Sequence, residues 1–218
     1  MFNLVFIITF FCSVLHTSRS TEIMALKDVK SFKWINEPNE WSFQNKTLKA
    51  VTNNATDFWQ ETWYGFHRHT GHVYGCDIAE DFTFQVCIEA EFTTLYDQAG
   101  IMLVIDDKHW IKAGIEYNDG QPMIGSVLTN DLSDWATGIF SGNPRKFWMR
   151  VTKVKNALRV QYSSDGKIWP LLRLCPSFKA QNVTVGVMCC TPERAGLVVH
   201  FSDIQITKPL DKDLHDLS

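Results

Sequence analysis

Apolar and polar residues alternate with a period of two along most of the chain from about residue 30 onward. In the segment 82–92, for example, Phe82 and Phe84 begin an apolar face, and Thr83 begins the polar face opposite. This alternation predicts β-strands, because successive side chains of a strand point to opposite sides of the sheet. The same signal predicts shorter strands at 122–129, 147–154, 158–162, 183–189 and 197–206. No amphipathic helix of ten or more residues is indicated, so the pattern favours an antiparallel β-sandwich.

Two consecutive strands between residues 96 and 117 differ in their hydrophobic pattern. Residues 98–105 are apolar at nearly every position, which predicts a central strand that is buried on both faces. Residues 109–117 alternate, with Ile111, Ala113 and Ile115 on the apolar side. The other side of this strand carries Trp110, Lys112, Gly114 and Glu116. We therefore predict a sheet in which the second strand presents a polar and aromatic face that forms a groove.

The composition fits one globular domain with a single large core. The chain has 218 residues, of which 45% are hydrophobic and 13% aromatic. Sandwiches of about 200–250 residues fold as undivided domains. The net charge is −3 and the basic residues do not cluster, which argues against nucleic-acid binding. We predict one β-sandwich domain over 24–209, followed by a loosely ordered, flexible tail over 210–218.

The N-terminus holds a twelve-residue apolar run at 4–15, which is too short to form a stable membrane span. Its length suits the core of a signal peptide, and Ser18 and Ser20 are small residues placed for cleavage. Residues 1–20 are therefore predicted to be a signal peptide, which would make the protein secreted. The alternative is a cytoplasmic protein that starts at Met24.

Three glycosylation sequons depend on that choice of compartment, since they would carry glycans only in a secreted protein. The sequons begin at Asn45, Asn54 and Asn182. Five cysteines would remain after cleavage, an odd number without a CxxC motif, so neither a disulfide framework nor a zinc site is indicated. His67, His69 and His72 also match no standard zinc spacing, and we expect them in an exposed loop. The sequence therefore indicates no metal and no cofactor.

Six short motifs occur along the chain in an order that resembles a known protein family. The motifs are Trp34 with Asn36-Glu37-Pro38, then 56–59, 96–100, 110–116, 126–129 and 133–135. Together they are similar to the regulation-of-enolase-like family, domain of unknown function 1349, over about residues 31–209. That group is assigned to the concanavalin A-like lectin/glucanase superfamily. The resemblance implies a jelly-roll sandwich of two antiparallel sheets, and it supplies no established catalytic residues.

Glu89 and Glu91 form the most obvious pair of carboxylates for catalysis. They lie at positions i and i+2 of one strand, so their Cα atoms are about 6.6 Å apart on the same face. Glycosidases use carboxyl separations of ~5–9 Å. Glucanases of the superfamily carry a longer acidic motif, however, whereas Phe92 and Thr93 follow here. A solvated polar face is therefore the favoured interpretation of the pair, and a protein without enzymatic activity is favoured over an enzyme.

Trp110, Lys112 and Glu116 form a more promising constellation, because they share one strand face with Gly114 between them. Glycine at that place leaves room for a ligand or another backbone to approach. Lys112 and Glu116, ~13 Å apart along an ideal strand, would bracket a ligand rather than pair with each other. An aromatic ring with an ammonium and a carboxylate suits a sugar, whose faces are apolar and whose edges are polar. The alternative is that Lys112 pairs with a cross-strand acid and Trp110 packs under a loop.

Asp97, Gln98 and Ser126 are expected at the margins of this groove, where they would add ligand-binding groups. Residues 133–135, Ser-Asp-Trp, are interpreted instead as structural residues of a loop that follows a strand.

The sequence thus predicts a non-catalytic binding or regulatory module that recognises a carbohydrate or a similar polar ligand. Two alternatives stay open. One is a glycan-active hydrolase that uses Glu89, Glu91 or Glu116. The other is an intracellular regulator of carbon metabolism that acts through contacts with a partner protein.

Overall fold

The computed structural model describes residues 28–218. Within that range the chain forms one short 3-10 helix, Val29–Ser31, and 16 β-strands. The strands are, in chain order, β1 Lys33–Ile35, β2 Glu40–Gln44, β3 Thr47–Val51, β4 Phe58–Gln60, β5 His67–His69, β6 His72–Ile78, β7 Phe82–Ala90, β8 Gln98–Asp106, β9 His109–Asn118, β10 Gln121–Asn130, β11 Leu132–Ile139, β12 Lys146–Val154, β13 Ala157–Ser163, β14 Leu171–Pro176, β15 Val183–Cys190 and β16 Val198–Thr207.

These strands form two large sheets and one small one, and every pair of neighbours is antiparallel. The first sheet has seven strands in the order β1-β6-β15-β8-β9-β10-β11. The second sheet also has seven strands, in the order β14-β13-β12-β7-β16-β3-β2. Strands β4 and β5 pair only with each other. The predicted all-β sandwich of two antiparallel sheets is confirmed.

Apolar residues from both large sheets meet in one core between them. Strand β7 contributes Phe82 and Phe84, neither of which has any solvent exposure, as the alternation in this segment predicts. Strand β8 lies at the centre of the first sheet and is buried on both faces. Ile101 and Leu103 belong to the core between the sheets, whereas Met102 belongs to a second apolar cluster on the opposite side. The burial of both faces that the sequence predicts for this strand is therefore confirmed.

The side of the first sheet that faces away from the second sheet, here called its outer face, is covered in the middle by the β4–β5 hairpin. The second apolar cluster fills the space between hairpin and sheet, and it consists of Phe58, Trp59, Val73, Met102, Val104, Trp110, Val127, Met188 and Cys190. Gln60 anchors the hairpin, because its backbone N–H donates to Ser133 Oγ at 2.9 Å and its amide donates to the carbonyl oxygen of Asp107 at 2.9 Å. A face that the sequence pattern predicts to be open thus carries a third layer.

Two segments that we expected in loops are strands instead. Residues 133–135 belong to β11, at the edge of the first sheet, while His67 and His69 lie in β5 and His72 lies in β6. His72 is buried, its Nδ1 lies 2.5 Å from the carbonyl oxygen of Asn36, and burial lowers the pKa of its imidazole. Over residues 28–218 no three His, Cys, Asp or Glu side chains are arranged to hold a metal ion. His72 thus contacts the backbone at Asn36, and the Nδ1 of His67 lies 2.6 Å from Gln60 Oε1 within the hairpin.

Gly114 lies where β9 packs unusually close to β8. Its partners across the two neighbouring strands are also glycines, Gly100 on β8 and Gly125 on β10. A Cβ atom on Gly114 would lie only 2.6 Å from the Cα atom of Gly100, a separation that real side chains do not adopt. Of the two reasons that we considered for this glycine, approach of a ligand or of another backbone, the structure shows the second.

The segment after β16 runs along the second sheet without forming a helix or a strand. Arg159 of β13 donates to the carbonyl oxygens of Lys212 and Asp213 at 3.3 and 3.0 Å. The backbone N–H of Trp169 donates to the carbonyl oxygen of Leu217 at 2.8 Å. These bonds define where the tail docks; the flexibility of 210–218 stays a prediction.

Several expectations concern processing and compartment. The predicted signal peptide, 1–20, and the alternative start at Met24 lie outside the described residues. None of the helical structure in 28–218 is long and apolar enough to cross a membrane. The three sequon asparagines are exposed, and their glycosylation stays a prediction. Four buried cysteines hold free thiols, namely Cys87, Cys175, Cys189 and Cys190.

Candidate functional site

A cleft opens on the outer face of the first sheet, beside the β4–β5 hairpin, and encloses about 160 Å³. Strands β8 and β9 supply its base, the hairpin supplies one wall, and β11 and the loop after β15 supply others. The polar and charged residues that line it are Asp57, Arg68, Gln98, Lys112, Glu116 and Glu193. The apolar and aromatic residues that line it are Trp59, Tyr64, Phe66, Tyr96, Trp135 and Pro192. The cleft therefore combines a charged base with aromatic walls.

Lys112 ties the hairpin to the sheet through a buried ion pair. Its Nζ donates to Asp57 Oδ1 at 3.3 Å and to the carbonyl oxygen of Phe58 at 2.9 Å. The Lys112 side chain is 4% exposed and that of Asp57 is 10% exposed. Burial alone would lower the pKa of Lys112, but the negative charge of Asp57 outweighs that effect and raises it. Of the two interpretations of Lys112, pairing with an acid is the one that the structure shows.

Glu116 lies on the same face of β9 as Lys112, and its carboxylate lacks a comparable partner. Among the described residues, none forms a hydrogen bond or an ion pair with this carboxylate, although Lys112 and Asp57 act on it through space. Burial raises the pKa of Glu116 to about 7; the charge of Lys112 lowers it and that of Asp57 raises it further. A carboxylate with this pKa changes its charge near neutral pH, which makes it the most distinctive group in the cleft.

Aromatic side chains form most of the cleft wall, and they pack against one another. The ring centroids of Trp59 and Trp135 are 6.3 Å apart with perpendicular planes, and Tyr64 stacks on Phe66 at 5.4 Å. The hydroxyl groups of Tyr64 and Tyr96 lie 3.0 Å apart, and this hydrogen bond, together with burial, raises the pKa of Tyr96. The wall is thus held in place by contacts within itself, without any ligand.

Arg68 of β5 also belongs to this wall. The carbon of its guanidinium group lies 4.3 Å from the ring centroid of Phe66, and its Nη1 lies 4.0 Å from Asp57 Oδ2. Arg68 therefore adds a second cation near Asp57, and it approaches the other carboxylate oxygen from the one that Lys112 contacts.

The two predicted residues that precede or begin β8 have different environments. Gln98 lines the cleft and is the cross-strand partner of Glu116, so the two side chains share one face. Asp97 is fully buried, where it accepts backbone N–H bonds from Thr93 and Thr94 at 3.0 Å and pairs with Arg194 at 2.5 Å. All the acceptor capacity of Asp97 is directed to these groups, so it holds a loop together beside the cleft and does not line it.

Two other predicted site residues also lie away from the cleft. Trp110 shares a face with Lys112 but has no solvent exposure, because it packs beneath the hairpin 6.0 Å from the ring of Phe58. Ser126 lies on the opposite face of the first sheet, since its partner across β9 is Ala113 and its hydroxyl accepts a bond from Arg173 at 3.1 Å. We therefore correct the predicted placement of both residues, as neither side chain faces the cleft.

The acids of the hydrolase alternative lie in two different places. Glu89 and Glu91 belong to or follow β7 of the second sheet, where Glu89 pairs with Lys146 at 2.8 Å and Glu91 pairs with Arg145. Glu116 lies on the first sheet, in the cleft. The three carboxylates therefore do not form one site.

Sequence reasoning overlooked most of the cleft wall, although several of its residues stand in the motifs that carry the family resemblance. Asp57 and Trp59 lie in the motif at 56–59, and Tyr96 and Trp135 begin or end two others. The convergence of those motifs on one cleft was the signal available in the sequence. The hairpin residues Tyr64, Phe66 and Arg68 carried no such signal.

Comparisons with known proteins agree with this fold. The chain is 51% identical over 185 residues to Regulation of enolase protein 1 of Saccharomyces cerevisiae, an alignment that covers 85% of this chain and 93% of that protein. A crystal structure of a functionally unknown protein from Saccharomyces cerevisiae superposes with a TM-score of 0.82 at 48% identity, covering 84% of this chain and 100% of that chain.

More distant structures share the fold at low sequence identity. A mutant of the GH43 protein BlXynB from Bacillus licheniformis has a TM-score of 0.66 at 13% identity, over 85% of this chain and 38% of that one. The carbohydrate binding module CBM66 from Bacillus subtilis has a TM-score of 0.52 at 9% identity, over 80% of this chain and 95% of that one. The jelly-roll sandwich is thereby confirmed. The family model described as "Protein of unknown function (DUF1349)" matches residues 34–209, and the chain belongs to this family, as its motifs predict.

Proposed function

We propose that this chain is a non-catalytic binding module that recognises a carbohydrate or a similar polar ligand in the cleft of the first sheet. One observation carries the proposal: the unpartnered carboxylate of Glu116 lies in a cleft with aromatic walls. A sugar has apolar faces that stack on aromatic rings, and its hydroxyl edges bond to amides and carboxylates. Gln98 and Glu116 supply such polar groups, while Trp59 and Trp135 supply the rings.

The fold comparisons support a carbohydrate as the ligand. CBM66 is by its name a carbohydrate binding module, and it is built on the same sandwich over 95% of its length. That similarity concerns the fold, so the ligand of this chain has to come from the chemistry of its own cleft. The cleft differs from a hydrolytic site in the state of its acids: Glu116 is unpartnered, Asp57 is held by Lys112, and Glu193 is exposed at the rim.

A regulatory role that acts through a partner protein is the second candidate. The relative named Regulation of enolase protein 1 supports it, and so does an exposed aromatic residue beside the cleft. Trp63, in the loop of the β4–β5 hairpin, is 93% exposed, and tryptophan is enriched at protein interfaces. The two candidates are compatible, because a ligand in the cleft would contact the same hairpin that presents Trp63.

We propose the cytoplasm as the compartment. Buried free thiols such as those of Cys87, Cys175, Cys189 and Cys190 suit a reducing environment, and the described residues give secretion no support. N-terminal sequencing of the native protein distinguishes a start at Met1 or Met24 from cleavage near residue 20.

A glycan-array screen followed by calorimetry tests the proposed function. Replacing Trp135 with alanine should weaken the affinity for any glycan that binds by about tenfold, because a stacking surface is lost from the cleft. Trp148→Ala, which removes a similarly half-buried tryptophan from the second sheet, is the matched control and should leave the affinity unchanged. Absence of binding across the array would reject a carbohydrate ligand, and release of reducing ends from a bound glycan would establish a hydrolase instead.

A further inference from the structure

We propose that the ligand group in contact with Glu116 is a protonated amine, carried by an amino sugar rather than by a neutral sugar. The inference rests on the proposed function, because it concerns the same cleft, and it adds the charge of the ligand. It is drawn from the balance of charges around the cleft, from the side chain that lacks a partner and from the aromatic walls.

The charged groups that line the cleft do not balance. Three carboxylates, Asp57, Glu116 and Glu193, stand against two cations, Arg68 and Lys112, so one negative charge is uncompensated when all five are ionised. A neutral sugar would displace the water around that charge without neutralising it. A cationic ligand would complement it, and charge complementarity is what distinguishes a matched partner from a mismatched one.

Glu116 is the lining carboxylate that has neither a cation in contact with it nor full access to water. Asp57 accepts from Lys112 at 3.3 Å and has Arg68 4.0 Å away, so its charge is matched. Glu193 is exposed at the rim, where water solvates it. Glu116 is partly buried, and within residues 28–218 no side chain forms an ion pair with it. Burial of this carboxylate raises its pKa to about 7, and the charge of Lys112 offsets that effect only in part.

The aromatic walls favour a cation for a second, independent reason. The faces of tryptophan, tyrosine and phenylalanine rings carry a negative potential and attract cations that approach them. Arg68 already shows this contact, because its guanidinium carbon lies 4.3 Å from the ring centroid of Phe66. Trp59, Tyr96 and Trp135 line the same cleft and offer further ring surface to an ammonium group at Glu116.

An ammonium also makes a stronger bond to Glu116 than a hydroxyl does. Either donor makes a charge-assisted bond to the carboxylate, but only the ammonium adds an attraction between opposite charges. We therefore expect an amino sugar to bind about tenfold more tightly than the matching neutral sugar, at a pH where Glu116 is ionised.

The pH dependence of binding follows from the same contact. Glu116 must be ionised to attract a cation, so the affinity for a permanently charged ligand should rise as the pH increases through about 7. The other charged groups around it are Asp57, Arg68, Lys112 and Glu193. Tyr96 and Cys190 also act near it, and their raised pKa values keep them neutral over this range. Lys112, whose pKa is raised by the charge of Asp57, stays charged at neutral pH, so Glu116 is the group whose ionisation changes.

Calorimetry on the full chain tests the inference with glucosamine, glucose, N-acetylglucosamine, N-trimethylglucosamine and choline as probes. Glucosamine and its trimethyl derivative should bind about tenfold more tightly than the two neutral sugars, and the trimethyl derivative should show the pH dependence. Glu116→Gln should remove both the preference for charge and the pH dependence. Glu80→Gln, which removes an exposed carboxylate outside the cleft, should keep both.

The outcomes separate this inference from the proposed function. Equal affinity for charged and neutral sugars would overturn the amine contact and leave carbohydrate binding intact. Binding of choline but of no sugar, lost in Glu116→Gln, would support the amine contact and overturn the sugar. If the Glu116→Gln variant still bound charged sugars more tightly than neutral ones, the amine would contact another carboxylate, and the inference would be wrong.

Discussion

Each large sheet has a lysine that binds a carboxylate on the side away from the other sheet, yet the two ion pairs differ in almost every other respect. Lys112 and Asp57, on the first sheet, are 3.3 Å apart and 4% and 10% exposed. Lys146 and Glu89, on the second sheet, are 2.8 Å apart and 49% and 48% exposed. The shorter contact is the one in water, and the longer contact is the one out of water.

The β4–β5 hairpin causes this difference. It covers the middle of the first sheet, so that Lys112 has to satisfy its charge with Asp57 and the carbonyl oxygen of Phe58, which lie at the start of the hairpin. Glu116, further along the same strand, is left in the cleft that the hairpin creates. No layer covers Lys146 and Glu89, so water solvates both charges.

A short lysine–carboxylate contact is therefore a poor guide to a functional site. Exposed pairs gain little because water and salt screen them, whereas charges that leave water depend fully on their partners. Glu116 forms no ion pair within residues 28–218, so a search for short lysine–carboxylate distances would not find it. Burial, a cavity and an unpartnered group are together the better criterion for a site.

The largest expected effect on stability comes from breaking the buried ion pair of Lys112 and Asp57. Lys112→Met should lower the free energy of unfolding by about 3–5 kcal/mol, because Asp57 is left charged in a place from which water is excluded. Chemical denaturation monitored by circular dichroism measures this change. Since Lys112 also ties the hairpin to the sheet, quenching of tryptophan fluorescence should increase as the hairpin loosens.

A double variant sharpens the same prediction. Replacing both Lys112 with methionine and Asp57 with asparagine removes the lone buried charge, so it should recover part of the lost stability. If Lys112→Met instead changed the unfolding free energy by less than about 1 kcal/mol, the pair would be as weak as an exposed one, and the contrast between the sheets would disappear.

The second prediction concerns the pH dependence of stability. Glu116 has a pKa of about 7 in the folded protein and an ordinary value of 4.5, so its stabilising contribution is complete below pH 4.5 and is lost as the pH rises through 7. Glu116→Gln should therefore be more stable than wild type at pH 8, by roughly 3 kcal/mol at most, and similar to it at pH 4. Thermal melts across this range measure the difference.

A variant with no gain at alkaline pH would show that Glu116 has a normal pKa and that water reaches its carboxylate freely. Glu80→Gln provides the matched control, because it changes the same kind of side chain at an exposed position. Its stability should follow that of wild type at every pH.

The sandwich could be predicted from the sequence because the order of apolar and polar residues within each strand indicates which of its faces are buried. The alternation in β7 and the apolar run in β8 depend on which faces are buried, and a single segment of sequence contains that information. The order of the six motifs then identified the family without any knowledge of the contacts between strands.

The cleft could be predicted only in part, because one of its walls is the β4–β5 hairpin. That hairpin lies far in the sequence from the strands β8 and β9 that it covers. Lys112, Glu116 and Gln98 were found on the strands where they lie. The face of β9 also contains Trp110, and nothing in that segment distinguishes a ring that contacts a ligand from one that the hairpin covers. The contact between Lys112 and Asp57 joins residues 55 positions apart, and a contact over such a separation leaves no periodic pattern in the sequence.

The smallest expected effect belongs to the exposed pair, and it tests the other side of the comparison. Glu89→Gln should change the unfolding free energy by only about 0.2–1 kcal/mol, because Glu89 and Lys146 are each about half exposed and water replaces the lost contact. That small difference should shrink further in high salt, which screens exposed charges. Binding of any glycan in the cleft should be unaffected, since Glu89 lies on the second sheet. Loss of glycan binding or of glycan hydrolysis in this variant would place a functional site on the second sheet and would revive the enzyme alternative that its carboxylates first suggested.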